Sequence, residues 1–437
     1  AVRPWMQHVS EADWAPDGST LAVTRSGDAG WQLEYPIGRV LYRVTSGYLS
    51  DLRVSPDGAR VAFFEHQTLG DDRGWVKAVD AKGNVTTLAG EYWGEEGLAW
   101  SPDSRFVYFS ASVHGGEAFQ PLVVNVAGAP VAHQALASAG AMFVQDVSRD
   151  GRLLVMRDDL RAAIRARVPG ESAERDFSWL DYQYQGYLSQ DRKFLVFGDE
   201  SQSAGPNYAV ALRALDSTEV VRLGEGAALP LSPDGKWAPG LVPSSDQIVL
   251  YPTGPGDPVK LPKGPISRYA SILGWFPDGR RVVVCGTAAG QPPRCYTQDV
   301  PNGTPVPVTP DNTTGALLAP DGRTLLIRTA AFAFEVTTIG SRTPPVEAKG
   351  ITPDDIPFAW TSDGRGVVVE AGIHIPARIE KVDPLTGQRT PIMTMAPPDL
   401  AGVTLVFPSQ WIDDGKGYVY TYFRELSKLF VASGVRP

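Results

Sequence analysis

Short apolar runs of about four residues recur along the chain, and each follows the same polar turn. The turn is a large apolar residue, a small residue, often Pro, and then Asp-Gly. It reads Trp14-Ala15-Pro16-Asp17-Gly18, Val54-Ser55-Pro56-Asp57-Gly58, Trp100-Ser101-Pro102-Asp103-Ser104 and Val147-Ser148-Arg149-Asp150-Gly151. It continues as Leu188-Ser189-Gln190-Asp191-Arg192, Leu231-Ser232-Pro233-Asp234-Gly235, Trp275-Phe276-Pro277-Asp278-Gly279 and Leu318-Ala319-Pro320-Asp321-Gly322. Trp360-Thr361-Ser362-Asp363-Gly364 and Trp411-Ile412-Asp413-Asp414-Gly415 complete the series. Pro presets φ for the first turn position, Asp bonds the backbone ahead of it, and Gly takes the left-handed angle, so each copy predicts a hairpin. A β-branched or aromatic run follows nearly every turn, as in Val61-Ala62-Phe63-Phe64, Phe106-Val107-Tyr108-Phe109 and Val367-Val368-Val369. A third strand is expected at 76–79, 122–126, 247–251 and 377–382, and a more polar fourth at 85–88, 220–223 and 306–309. Four strands in each repeat of roughly 43 residues predict an all-β fold, a β-propeller of ten four-stranded blades.

The two ends predict closure. Residues 2–9 precede the first turn as a strand without a blade, and the last repeat stops after a third strand at 428–431. Pairing them closes a single ring and leaves few open edges. Two smaller propellers split near 225 are the competing arrangement.

Composition narrows the class. The chain has 437 residues, 43% of them hydrophobic and 20% charged, and its 45 Gly and 37 Pro suit a turn-rich β protein better than a helical one. A net charge of −9 without a Lys/Arg block excludes a nucleic-acid face, which needs a basic surface. No apolar run reaches 18 residues, so no segment is expected to insert in a membrane. The chain begins without Met and without a secretory leader, which predicts a mature or excised piece.

If the Asp-Gly turns line one face, the longer, aromatic loops line the other. One loop carries Tyr92, Trp93, Glu95 and Glu96; another carries Trp179, Asp181, Tyr182 and Tyr184. His66, Asp71, Asp72 and Arg73 lie between second and third strands of one repeat, with His114, Asp199 and Glu200 in equivalent loops. Aromatics beside carboxylates near a central pore form a candidate binding surface, with inter-blade packing as the alternative role. Trp14, Trp100, Trp275, Trp360 and Trp411 recur in repeat register and are expected in the core between blades. The turn aspartates are expected to cap their own turns without metal. Cys285 and Cys295 are symmetric about Gly290 on one hairpin, within disulfide reach if the strands pair directly, and are otherwise two buried thiols. A disulfide implies an oxidising compartment.

Catalytic patterns are absent. There is no G-x-S-x-G elbow, no phosphate-binding G-x-x-x-x-G-K-[ST] loop and no G-x-G-x-x-G. The five histidines, His8, His66, His114, His133 and His374, form no metal-binding pair in sequence. No cofactor and no metal are expected.

The repeat resembles the TolB-type (WD40-like) propeller repeat. Residues 11–18, 36–42, 70–74, 97–103, 205–208, 223–226 and 413–435 further resemble the C-terminal propeller region of bacterial eukaryotic-like serine/threonine protein kinases, in order along the chain. That resemblance implies a sensor beyond the membrane from a cytosolic kinase domain, tethered by a transmembrane helix, with further repeats upstream. The kinase's own Gly-rich loop, ATP-pairing Lys, HRD and DFG motifs are missing here. The expected function is therefore a non-catalytic, periplasmic propeller that binds a small molecule, glycan or protein and reports to a Ser/Thr kinase. A free periplasmic protein-docking scaffold and a pore-centred carbohydrate-active enzyme with paired carboxylates are the alternatives.

Overall fold

In the computed structural model the described residues are 6, 8–27, 30–45, 47–67, 72–113, 119–138 and 140–435, without the side chains of 202 and 270–273. They form nine antiparallel sheets and no α-helix. Eight sheets have four strands in sequence order. Sheet 1 is Val9–Trp14, Leu21–Gly27, Gly30–Glu34 and Val40–Val44; sheet 2 is Tyr48–Val54, Arg60–His66, Gly74–Asp80 and Val85–Tyr92. Sheet 3 is Gly94–Trp100, Phe106–Ser112, Gln120–Asn125 and His133–Gln134. Sheets 4 to 8 follow, their first strands being Gln183–Leu188, Ala227–Ala228, Ile266–Trp275, Thr313–Leu318 and Asp355–Trp360. The architecture is a β-propeller fold.

The repeated turn works as its residues require. Ser55, Ser101, Ser148, Ser189, Ser232 and Thr361 each donate a hydroxyl to the turn Asp two residues on, at 2.5–2.8 Å. In most of these copies the same hydroxyl accepts a backbone N–H from the start of the next strand, as Phe106 N–H does to Ser101 Oγ at 2.9 Å. Gly18, Gly58, Gly322 and Gly364 supply the left-handed angle at φ 66–70°. These bonds hold the carboxyls of Asp103, Asp150, Asp191 and Asp363 below their ordinary range.

A second repeated device joins neighbouring sheets. The indole of Trp100 donates to Arg53 O at 2.9 Å, that of Trp275 to Pro230 O at 2.8 Å, and that of Trp360 to Leu317 O at 3.0 Å. Each acceptor lies four residues before the turn Asp of the preceding repeat. The side chain at that position can also reach forward: Asp13 accepts from Val54 N–H at 2.7 Å and Gln410 from Leu188 N–H at 2.7 Å.

The ninth, closing sheet departs from the repeat. Met142–Val147 pairs with Leu153–Arg167, which neighbours Gly417–Ala432, which pairs with Val403–Ile412; Arg175–Asp176 pairs with the far end of Leu153–Arg167. The two long strands have a simple cause. Neither Gly nor Pro occurs between 152 and 168 or between 418 and 433, so nothing punctuates them. The predicted separate strand at 428–431 is thus the continuation of Gly417–Ala432.

Through these strands the chain divides into two compact units, Ala1–Asp159 with Leu426–Pro437, and Leu160–Glu425. In the second unit, apolar clusters lie between sheets 4 and 5, 5 and 6, 6 and 7, and 7 and 8. Two more join the closing sheet to sheet 8, through Met395, Val406 and Tyr420, and to sheet 4, through Ile164, Phe177, Leu195 and Phe197. Six sheets with six shared cores make a closed ring. In the first unit three such clusters join sheets 1, 2 and 3 and the Met142–Val147 end of the closing sheet.

The sequence predicts ten blades in one ring, with a split near 225 as the alternative; among the described residues there are nine sheets, the two units part at 159/160 and 425/426, and residue 225 ends the last strand of sheet 4. Leu188 takes its side-chain acceptor from Gln410, at the other end of the chain, instead of from Asp146, whose carboxylate bonds Val147 N–H. Residues 2–5 and 7 of the expected N-terminal closing strand lie outside the described residues, and Val9 belongs to the first strand of sheet 1. Trp14 also differs from its expected core role: it is 59% exposed, against 5% for Trp100.

Cys285 and Cys295 are direct cross-strand partners in sheet 6, fully buried and joined by a disulfide. Reduction of this bridge, ten residues apart in sequence, is expected to lower stability by about 2–3 kcal/mol on the chain-entropy estimate, read as a lower denaturation midpoint in reductant. Trp100→Phe removes an inter-sheet hydrogen bond and part of the core, with an expected cost of about 1–3 kcal/mol. Trp14→Phe is expected to stay within about 0.5 kcal/mol of the parent; equal losses in the two melts would refute the inter-sheet role.

Candidate functional site

At one end of sheet 2 a row of paired residues crosses all four strands: Tyr48 opposite His66, His66 opposite Gly74, Gly74 opposite Tyr92. His66 is 2% exposed and stacks on Tyr48, with ring centres 4.1 Å apart and planes at 11°. Its Nε2 lies 2.9 Å from Ser50 Oγ. Its Nδ1 faces Glu95 Oε2 at 3.9 Å, beyond hydrogen-bond range.

Glu95 enters from the first strand of sheet 3, opposite Ala111. Its side chain is 0% exposed, and neither carboxyl oxygen has a hydrogen-bond partner; His66 Nδ1 is unpartnered as well. Gly74 creates the room: a Cβ there would come within 2.9 Å of Glu95 Oε2 and 2.3 Å of Glu65 O. Burial pushes the Glu95 carboxyl up to about 9, helped by the nearby charges of Glu91, Asp72 and Asp51. Burial lowers His66, against the opposing pull of the Asp72 charge, the backbone carbonyls of Asp72 and Arg73, and the Asp51 charge. At neutral pH both groups are therefore uncharged.

The surroundings grade toward solvent. Asp51 sits at φ 52° in a bulge of the first strand, accepts Gly97 N–H at 3.1 Å, and is also raised by burial. Tyr48 donates its hydroxyl to Asp72 at 3.0 Å, and the Arg73 guanidinium lies 5.3 Å over the Trp93 ring. Asp72, Glu91 and Glu96 are exposed, and Trp93 is half-buried. Tyr92 packs on Phe109 at 5.7 Å.

The structure thus gathers His66, Asp72, Arg73, Tyr92, Trp93, Glu95 and Glu96 around one end of sheets 2 and 3. Asp71 and His114 lie outside the described residues. Tyr48, Ser50, Asp51 and Gly74 escaped sequence reasoning. One signal for Asp51 was present, since it stands six residues before its turn Asp, as the acidic Glu11 does before Asp17.

The second aromatic loop belongs to the other compact unit. Trp179 is exposed, meets Phe197 edge-on at 6.3 Å, and its N–H donates to Gln183 Oε1 at 2.8 Å. Asp181 is exposed, while Tyr182 packs on Phe423 and Tyr184 on Phe407 and Phe423, at 5.7–5.8 Å. Asp199 is turned inward, accepting both the hydroxyl and the N–H of Ser201. Among the described residues no three His, Cys, Asp or Glu side chains group to hold a metal ion.

No family profile matches the chain, and no curated protein matches its sequence. Among solved structures the chain is similar to TolB from Acinetobacter baumannii, at 13% identity and a TM-score of 0.27, covering 96% of this chain and 81% of that one.

A carboxyl whose pKa rises on folding makes the native state bind protons more tightly, so its contribution to stability falls as pH climbs from about 4.5 to about 9. Glu95→Gln removes that penalty. Its melting temperature is expected to exceed the parent's by several degrees near pH 8 and to converge with it near pH 5, about 1 kcal/mol corresponding to 2–4 °C in a domain of this size. A constant offset across that range would contradict the assignment.

Proposed function

We propose that this chain is a non-catalytic binding propeller working outside the cytoplasm, where it senses a ligand for a membrane-tethered Ser/Thr kinase. The observation that carries the binding role is the pair of buried, unpartnered polar groups, Glu95 and His66, beneath a rim of Trp93, Arg73 and Asp72. A packed scaffold leaves few such groups without partners unless something else satisfies them. The Cys285–Cys295 bridge supports an oxidising compartment, and the kinase connection rests on the resemblance of the sequence stretches quoted above.

Trp93, Tyr92, Asp72, Arg73 and Glu96 then meet the ligand, with Glu95 and His66 below them. In the other unit Trp179 and Asp181 offer a smaller exposed surface, whereas Tyr182 and Tyr184 serve mainly to hold Phe407 and Phe423.

Thermal-shift screening of the parent and Trp93→Ala against amines, sugars and peptides tests the binding role. The expected result is a ligand that raises the parent melting temperature by about 2 °C or more and leaves Trp93→Ala unmoved. Equal shifts in both proteins would exclude this surface. Reading the gene upstream of codon 1 tests the kinase link: a kinase domain followed by one apolar span is expected, and an unrelated open reading frame would refute it.

A further inference from the structure

Glu95 and His66 present three acceptor positions to one small space: two carboxyl oxygens without partners and, when Nε2–H donates to Ser50 Oγ, the Nδ1 lone pair. Around that space stand Asp51 on the first strand of sheet 2, Asp72 before the third, and Glu91 at the end of the fourth. The cations nearby are otherwise engaged: Arg73 lies over Trp93, and Arg53 donates to Leu52 O beside Asp51. Four carboxyls and an unprotonated imidazole nitrogen together lack one thing, a compact cation with several donors. Among the described residues no three ligating side chains converge as a metal ion would need. An anion is disfavoured by charge.

We propose that the space between the Glu95 carboxyl and His66 Nδ1 receives the ammonium group of a primary amine, carried by a small amine or by a lysine side chain. This rests on the reading that this end of sheets 2 and 3 is a binding surface. An ammonium nitrogen radiates three donors from one point, which suits acceptors 3.9 Å apart on different strands. A guanidinium prefers the coplanar pair of a single carboxylate. The site also answers binding chemically. Free Glu95 holds its proton at neutral pH; the incoming ammonium stabilises the carboxylate, the proton leaves to the buffer, and the buried pair is neutral as a whole. The acidic side chains of Asp72, Asp51 and Glu91 around the pair favour a cation over an anion.

Isothermal titration of the full chain near pH 7.5, in phosphate and in HEPES, measures both binding and proton release. The probes are Nα-acetyl-lysine amide, its Nε-acetylated form, and 1,5-diaminopentane. One-to-one binding of an amine with about one proton released is expected, weakened more than about tenfold in Glu95→Gln. Glu91→Gln, on the exposed rim, is expected to weaken binding about two- to fivefold while keeping the proton release. Binding of the lysine amide but not its acetylated form identifies a protein-borne lysine; binding of the diamine alone identifies a small amine. No amine binding below about 10 mM, or proton release that persists in Glu95→Gln, overturns the proposal. If amines fail while another compound shows Trp93-dependent stabilisation, the binding surface stands and only the amine assignment falls; if neither occurs, both fall.

Discussion

The second compact unit depends on a pairing between strands about 250 residues apart in the chain. Gly417–Ala432 lies beside Leu153–Arg167, and Glu174 fastens the pair: it accepts the hydroxyls of Tyr418 and Tyr420 at 2.9 and 2.8 Å and Arg165 Nε at 3.1 Å. Burial and the neighbouring carboxylate raise the Tyr418 phenol to about 12 and push Tyr420 up as well, so both remain donors at any physiological pH. Closure over such a distance is affordable because loop entropy grows only logarithmically with length. What it secures is large. A closed ring covers both faces of every sheet, and each of its six sheets shares a core with a neighbour on either side.

Most of this order was legible in the chain because it is local. The hydroxyl–Asp–Gly turns and the runs after them act within five residues, and the strands at 247–251 and 377–382 appear almost as expected. What stayed hidden was non-local. Which sheet meets which depends on whether Leu188 finds Asp146 or Gln410, and both are plausible acceptors at the same repeat position. The absence of Gly and Pro inside 153–167 and 418–432 was the available clue that these strands run on well past the usual length. Trp14 shows the same limit: repeat register gives an indole its position, but its burial is set by non-local packing, and Trp14 is 59% exposed.

The site divides similarly. Its aromatic and acidic loop residues stood out by composition, yet composition alone grouped Trp93 with Trp179, which lie in different units. The features that distinguish the first group are Gly74, which leaves space where any side chain would intrude, and the carboxyl of Glu95 set into that space without a partner. Sheet pairing positions both, so the rigid repeat scaffold holds an electrostatically unfavourable arrangement in place. Strain of this kind is tolerable where the surrounding cores are dense, and the clusters of sheets 1–2 and 2–3 flank it with residues that are almost wholly buried.

Hydrogen–deuterium exchange on the parent and Glu174→Ala addresses the ring most directly. If closure rests on the Glu174 fastening, protection falls first across 160–167 and 417–425 and then at the flanking strands Gln183–Leu188 and Val403–Ile412, while Arg281–Ala288, in sheet 6 on the far side of the ring, exchanges as before. Unchanged protection of 417–425 in the variant would show that the ring is held by something else.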